Sequence, residues 1–172
     1  MGVAVAEKEI VIYGNSVLRE VSQPVEKFDR ELKNLVSQMS DTLKKARGLG
    51  LSAVQIGVLQ RVFIVDLSVV DINETLRVFV NPEILETSGE AEFEEGCLSF
   101  PGIYQKLVRP DRVKVRAYDL DGHVFELEVK GLIARAILHE YDHLEGKLFI
   151  DYFSPIAKSL VKGKLRKLKA AS

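Results

Sequence analysis

The chain has 172 residues, 47% apolar and 28% charged, a length and balance that suit a single catalytic domain over 1–172 with enough apolar surface for a substantial core. Lysine and arginine total 24 against 25 acids, so the net charge of −1 excludes a general electrostatic pull toward nucleic acid or anionic membrane. Cys97 is the only cysteine, which excludes an intrachain disulfide and leaves its thiol as packing, a nucleophile or a metal ligand.

The opening residues carry Glu7 and Lys8 inside their only apolar stretch, so no secretory signal is expected, and Ala6 stands where a myristoylation signal after Gly2 needs serine or threonine. No run approaches the roughly 20 apolar residues of a membrane span. A soluble cytoplasmic protein with no membrane partner is expected.

After the apolar stretch Ile10 to Tyr13 comes a turn-like Gly14-Asn15-Ser16. Phe28, Leu32, Leu35, Val36, Met39 and Leu43 then recur three or four residues apart, which predicts a helix ending before Gly48. Arg61 to Leu67 and Leu76 to Val80 are rich in branched and aromatic residues and read as a pair of strands, the second stopped by Asn81-Pro82. Val113 to Tyr118 and Val124 to Val129 alternate apolar with polar around Asp121-Gly122, a pair favoured by tight hairpin turns. From Leu132 to Leu144 the period returns to helical, with Leu132, Ile133, Ala136 and Ile137 as an apolar stripe and Gly146 as the closing residue. Beyond Ser154 the chain carries Lys158, Lys162, Lys164, Arg166, Lys167 and Lys169 among Ile156, Leu160, Val161, Leu165 and Leu168, a basic C-terminal helix or tail over 154–172. The sum is an α+β fold in which antiparallel β-sheets pack around a central metal-binding α-helix, with a C-terminal helix.

His139-Glu140-Tyr141-Asp142-His143 sets two imidazoles four residues apart, on one helix face at about 5–6 Å between Cβ atoms, which suits two bonds to one ion. A catalytic site of this kind takes three protein ligands and leaves a position for water, with Glu140 placed as a base rather than a ligand. Phe149 stands where the longer three-histidine protease motif would have its last histidine, and beyond Asp151 the chain has neither carboxylate nor histidine. The third ligand therefore comes from upstream, where Cys97, His123 and several carboxylates are candidates. Thiolate is the most committed donor among them. Asp142 and His123 otherwise read as structural or surface groups. Leu132 and Phe93, near the motifs in sequence, suit an apolar pocket for a substrate side chain and equally suit core packing.

Gly48-Leu49-Gly50-Leu51-Ser52-Ala53-Val54-Gln55, Glu95-Gly96-Cys97-Leu98-Ser99 and His139-Glu140-Tyr141-Asp142-His143, in this order and spacing, resemble the three signature motifs of bacterial-type peptide deformylases. The resemblance covers the chain from Ile10 to Ser154. It implies removal of the formyl group from the N-terminal formyl-methionine of newly made polypeptides. Residue by residue it implies Cys97, His139 and His143 as ligands of one divalent metal ion, iron(II) in the cell with zinc, nickel or cobalt as substitutes. It further implies Glu140 as general base and later acid, the Gln55 amide and Leu98 N–H facing the formyl oxygen, and Gly50 and Gly96 along the bound peptide. Ser52 departs from the alanine usual in the first motif, and Gly14-Asn15 stands where proline and aspartate are common.

Two other classes share part of this pattern. A metallopeptidase cutting internal bonds uses the same histidines and glutamate. A non-enzymatic protein with a metal staple needs four protein ligands and no water. The basic tail suits contact with ribosomal RNA near the nascent chain and equally suits a solvated charged face.

Overall fold

The structure, a computed structural model, describes residues 8–172; the reading of Gly2 and Ala6 falls outside them. In chain order the regular elements are α1 (Arg30–Ala46), β1 (Gly50–Ser52), β2 (Val62–Asp66), β3 (Leu76–Ser88), β4 (Ala91–Gly96), β5 (Tyr104–Arg109), β6 (Arg112–Tyr118), β7 (Val124–Lys130), α2 (Leu132–Leu144) and α3 (Pro155–Ala171). Short 3-10 turns at Ser16–Arg19, Ala53–Ile56, Leu67–Val69 and Phe149–Tyr152 join them.

The α1 helix begins where the Asp29 carboxylate accepts the Leu32 N–H at 3.1 Å, and it buries Leu32, Leu35, Val36, Met39 and Leu43. It stops short of Gly48, as its periodicity implies, with Arg47 in the left-handed region at φ 56°. Five strands form an antiparallel sheet in the order β1-β2-β3-β6-β7, and β4 pairs with β5 alone. Alternation along β2 sends Val62 and Ile64 into the cluster under α1, and Phe63 and Val65 into the cluster under α2. Both faces of β2 are therefore buried, which is why its sequence is continuously apolar.

The α2 helix spans the predicted residues and lays Ile133, Ala134, Ile137 and Leu144 on Phe63, Phe79 and Val115. Gly146 ends it at φ +72°, where a Cβ would stand 2.5 Å from the Arg19 carbonyl oxygen. The α3 helix is capped by Ser154, whose hydroxyl accepts the Ala157 N–H at 3.1 Å. Its Val161, Leu165 and Leu168 cover a third cluster containing Leu18, Phe100, Ile103 and Phe149. The expected α+β arrangement, with antiparallel sheets around the histidine-bearing helix and a helix at the C-terminus, is the one observed.

Two expectations are corrected. Asn81-Pro82 does not end β3, which runs on to Ser88 through register shifts at Val80/Glu83 and Ile84/Glu86. Asn81 takes the left-handed region at φ 48°, and its side chain bonds both the N–H and the carbonyl of Val25 at 2.8 and 2.9 Å. The strand thus bulges at the point where the proline, lacking an N–H, would break a regular ladder. The β6–β7 connection is a five-residue loop, 119–123, because Tyr118 pairs with Val124. The Asp119 carboxylate accepts the Asp121 and His123 N–H groups, both at 2.9 Å, and takes the place of a two-residue turn. Strands β1, β4 and β5 had no sequence expectation. Among the described residues, no helix is long and apolar enough to cross a membrane.

Candidate active site and metal centre

Three pieces of backbone converge on one cavity of about 440 Å³. The α2 helix brings His139 and Glu140, with His143 buried one turn further along behind Cys97, the residues following β4 bring Cys97 and Leu98, and β1 with the 3-10 turn after it brings Gly50 and Gln55. Since β1 and β4 each pair on one side only, the cavity lies between two open strand edges.

Cys97 Sγ lies 3.5 Å from His143 Nε2, and one ligand atom from each of Cys97, His139 and His143 falls within 4.8 Å of the others. Metal bonds of about 2.3 Å to sulfur and about 2.05 Å to nitrogen, meeting at a tetrahedral angle, would put the two atoms roughly 3.5 Å apart. His139 Nδ1 is engaged by Glu95 Oε1 at 3.0 Å, which leaves Nε2 for an ion, and His143 Nδ1 is buried without a partner among the described residues. Burial disfavours charge on the His139 ring, yet the Cys97 sulfur and the Glu95 carboxylate pull its pKa well above the ordinary value. His143 is pushed well below, by burial first and then by His139. The two rings cannot both supply the positive charge that the sulfur favours, whereas one cation between them can. The donor set fits a divalent metal.

His123, a sequence candidate for the third donor, sits largely exposed in the β6–β7 loop beside Asp119, apart from the pair. The upstream partner of the two imidazoles is Cys97.

Glu140 is buried and its Oε1 has no partner among the described residues. Burial pushes its carboxyl up to about 7 against the opposing pull of His139 and Arg109. Gly50 makes this placement feasible, because a Cβ there would stand 3.0 Å from both Cγ and Oε2 of Glu140. The Gln55 side chain is fixed at both ends. Its oxygen accepts from the Ser52 N–H at 3.0 Å and the Ser52 hydroxyl at 3.2 Å, while Nε2 donates to Ser99 Oγ at 3.1 Å and points at Cys97 Sγ from 3.7 Å. Leu98 lines the cavity, and its N–H takes part in none of the hydrogen bonds among the described residues. Gly96 pairs with Tyr104 across β4 and β5, and a Cβ at Gly96 would stand 2.6 Å from the Tyr104 ring.

Leu132 lines the cavity together with Ala136, but Phe93 does not. The Phe93 ring is half exposed and meets the Arg135 guanidinium, 5.4 Å from ring centre to Cζ. Arg135 itself lines the cavity, so Phe93 stands one side chain away from it.

A buried charged cluster went unread in the sequence. Glu95 accepts from Arg109 Nε at 2.6 Å, from Arg109 Nη2 at 3.0 Å, from Arg135 and from His139. Burial pushes the Glu95 carboxyl up, but the bonds from His139 and Arg109 outweigh it and hold the group at about 2. Arg109 also donates to Asp142 at 3.0 Å, and the same oxygen takes the Tyr152 hydroxyl at 2.8 Å. One signal was available: Arg135 interrupts the apolar stripe of α2, and a charge on a core-facing position needs a buried partner.

The family model described as Polypeptide deformylase matches residues 7–159. Peptide deformylase 1 of Burkholderia multivorans is 47% identical over 163 residues, covering 94% of this chain and 89% of that protein. A peptide deformylase of Clostridium botulinum is 51% identical over 146 residues, 85% of this chain and 96% of its own length. Among solved structures, a peptide deformylase from Legionella pneumophila superposes with a TM-score of 0.89 at 45% identity, covering 96% of this chain and 97% of that one.

Proposed function

The chain belongs to the peptide deformylase family, metal-dependent hydrolases that remove the N-formyl group from newly synthesised polypeptides, and from that premise we propose which residues carry the reaction. Cys97, His139 and His143 hold the ion, and Glu140 moves the proton. The observation that carries this reading is the 3.5 Å separation of Cys97 Sγ and His143 Nε2 beside a cavity that Cys97, His139 and Glu140 line, with Glu140 Oε1 unpartnered among the described residues.

Held by these three residues, a divalent ion would supply a Lewis acid and make a water molecule acidic enough to yield its proton near neutral pH. Glu140 accepts the proton of the attacking water and returns it to the departing amine, so that the formyl C–N bond breaks, formate leaves and the peptide keeps a free amino terminus. Its raised pKa suits both directions of that transfer. Gln55 Nε2 and the Leu98 N–H donate to the oxygen on which charge develops. Gly50 and Gly96 leave the two strand edges open to a peptide backbone, and Leu132 with Ala136 forms an apolar wall suited to methionine.

Two imidazoles and a thiolate suit iron(II), which we assign as the ion in the cell, and equally accept zinc, nickel or cobalt. The same group of donors offers three protein ligands among the described residues, short of the four that a structural staple takes. We place the enzyme in the cytoplasm, where nascent chains emerge, with the exposed basic face of α3 as its contact to ribosomal RNA.

The test of the substrate is a paired assay of formyl-methionyl peptides and their unformylated forms. Release of formate from the first and no cleavage of the second is expected; cutting of internal bonds in unformylated peptide would overturn the reading. For the ion, iron-loaded enzyme should lose activity in air through oxidation of the metal or of Cys97, whereas nickel- or cobalt-loaded enzyme should keep it. Indifference of the iron form to oxygen would remove the iron assignment.

A further inference from the structure

We propose that Arg109 is a positioning residue that sets the sulfur-to-imidazole separation of the metal site by fastening the β4–β5 hairpin to α2. The proposal rests on the ligand set given above.

Cys97 and the histidines come from different parts of the fold, and the main chain alone does not fix their distance. Cys97 sits in the loop joining β4 to β5, a two-stranded hairpin that has no strand neighbour in the five-stranded sheet. A tilt of that hairpin carries the thiol with it, and a metal site tolerates only about 0.2 Å in each bond. Something must join hairpin to helix at the level of the ligands.

Arg109 stands on β5 and is 5% exposed. Its Nε and Nη2 grip both oxygens of Glu95, on the neighbouring strand and two residues before Cys97, at 2.6 and 3.0 Å. Its Nη1 reaches Asp142 at 3.0 Å, one residue before His143. Glu95 Oε1 in turn bonds His139 Nδ1 at 3.0 Å. One guanidinium thus connects the residues beside all three ligands. The Tyr152 ring lies 4.7 Å from its Cζ, and the Tyr152 hydroxyl holds the Asp142 oxygen at 2.8 Å, so the fork is kept in place from below. Lysine could neutralise the same carboxylates, but a single rotatable ammonium cannot make the three directed bonds. The bidentate grip is therefore the functional feature, and charge alone is not enough.

The experiment uses the full-length protein loaded with cobalt(II), comparing the unmodified chain with Arg109→Lys, Asp142→Asn and Cys97→Ala. Cobalt release to a chromogenic chelator gives retention, visible absorption of the ion reports its geometry, and far-ultraviolet circular dichroism reports folding. Arg109→Lys should stay folded, release cobalt about 10- to 100-fold faster and show a weakened, shifted visible spectrum. Asp142→Asn, which keeps the Glu95 grip but loosens the tie to α2, should show a smaller change in the same direction. Folded variants with unmodified release rate and spectrum would overturn the proposal, and if Arg109→Lys fails to fold, Asp142→Asn decides by itself. The ligand assignment fails separately, if Cys97→Ala retains cobalt with an unchanged spectrum.

Discussion

The Ser52 hydroxyl donates to the Gln55 side-chain oxygen at 3.2 Å, and the Ser52 N–H reaches the same oxygen at 3.0 Å, so the Gln55 amide nitrogen is turned toward Cys97. Ser52→Ala removes one of these bonds and leaves the acceptor paired through the main chain. A hydrogen bond of this kind contributes about 0.5–1.5 kcal/mol. Turnover in Ser52→Ala should therefore fall by no more than about tenfold with KM nearly unchanged. Gln55→Ala removes the donor itself, and a lost donor of this class costs about 2.7–4 kcal/mol, or a fall of roughly a hundredfold or more in kcat. Steady-state kinetics on a formyl-methionyl peptide separates the two, and equal losses would mean that Gln55 serves only as packing.

Periodicity made α1, α2 and the β6–β7 pair legible because each buries one face and exposes the other. Strand β1 is three residues long and β4 is rich in glutamate and glycine, so neither carries a strand pattern; both form because an existing edge or hairpin supplies their partners. The pairing of His139 with His143 was legible from their spacing, whereas Cys97 stood beside His123 and several carboxylates as a candidate third donor until the motif resemblance singled it out; the structure brings its sulfur to His143. The Arg109–Glu95–Asp142 cluster was not, because three charges scattered over 95–142 look like surface residues until folding brings them together. The contact of Phe93 with Arg135 was hidden for a related reason: the two lie 42 positions apart.

Gly50 and Glu140 form a second contact with a measurable consequence. Glu140→Ala should abolish turnover while the protein still binds one equivalent of metal, because the role proposed for Glu140 is to carry the proton and not to bind the ion. Gly50→Ala places a methyl 3.0 Å from Glu140 Cγ and Oε2 and 3.1 Å from the Ile64 carbonyl. Overpacking of this kind costs about 1–3 kcal/mol, so kcat/KM should fall about 5- to 100-fold with metal content unchanged. Elemental analysis beside the kinetics checks both. Loss of metal in Glu140→Ala would show that the carboxylate is a ligand.

The pair Arg19–Asp151 ties the first 3-10 turn to the last one, with bonds of 2.7 and 3.0 Å, and the Leu148 N–H adds a third at 3.0 Å. Burial pushes the Asp151 carboxyl up, but the bonds from Arg19 and Leu148 prevail and hold it below the ordinary value. A depressed folded pKa stabilises the protein above the unfolded value of about 3.9 and loses that stabilisation as pH falls through the folded value. Both side chains are more than a third exposed, so the contribution at neutral pH is about 1 kcal/mol or less. Asp151→Asn should lower the melting temperature by about 2–4 °C at pH 7 and by less at pH 3. Thermal unfolding at the two pH values is the check, and a deficit that grows toward pH 3 would contradict the sign.

The α3 helix has two faces, and only the exposed one is available for the contact with the ribosome proposed above. Val161, Leu165 and Leu168 lie inward on Phe100, Ile103 and Leu18, so deleting the helix would strip the core and blur any effect on docking. Lys158, Lys162, Arg166 and Lys169 are exposed, and reversing their charge leaves that packing intact. The triple variant Lys158→Glu, Lys162→Glu, Arg166→Glu should therefore keep its deformylase activity on a short peptide and its melting temperature. Its affinity for purified ribosomes should fall steeply, and for every phosphate that the variant no longer neutralises the slope of log affinity against log salt should become shallower by about 0.7–0.9. Unchanged ribosome affinity and salt slope in the folded triple variant would reduce this face to a solvated surface.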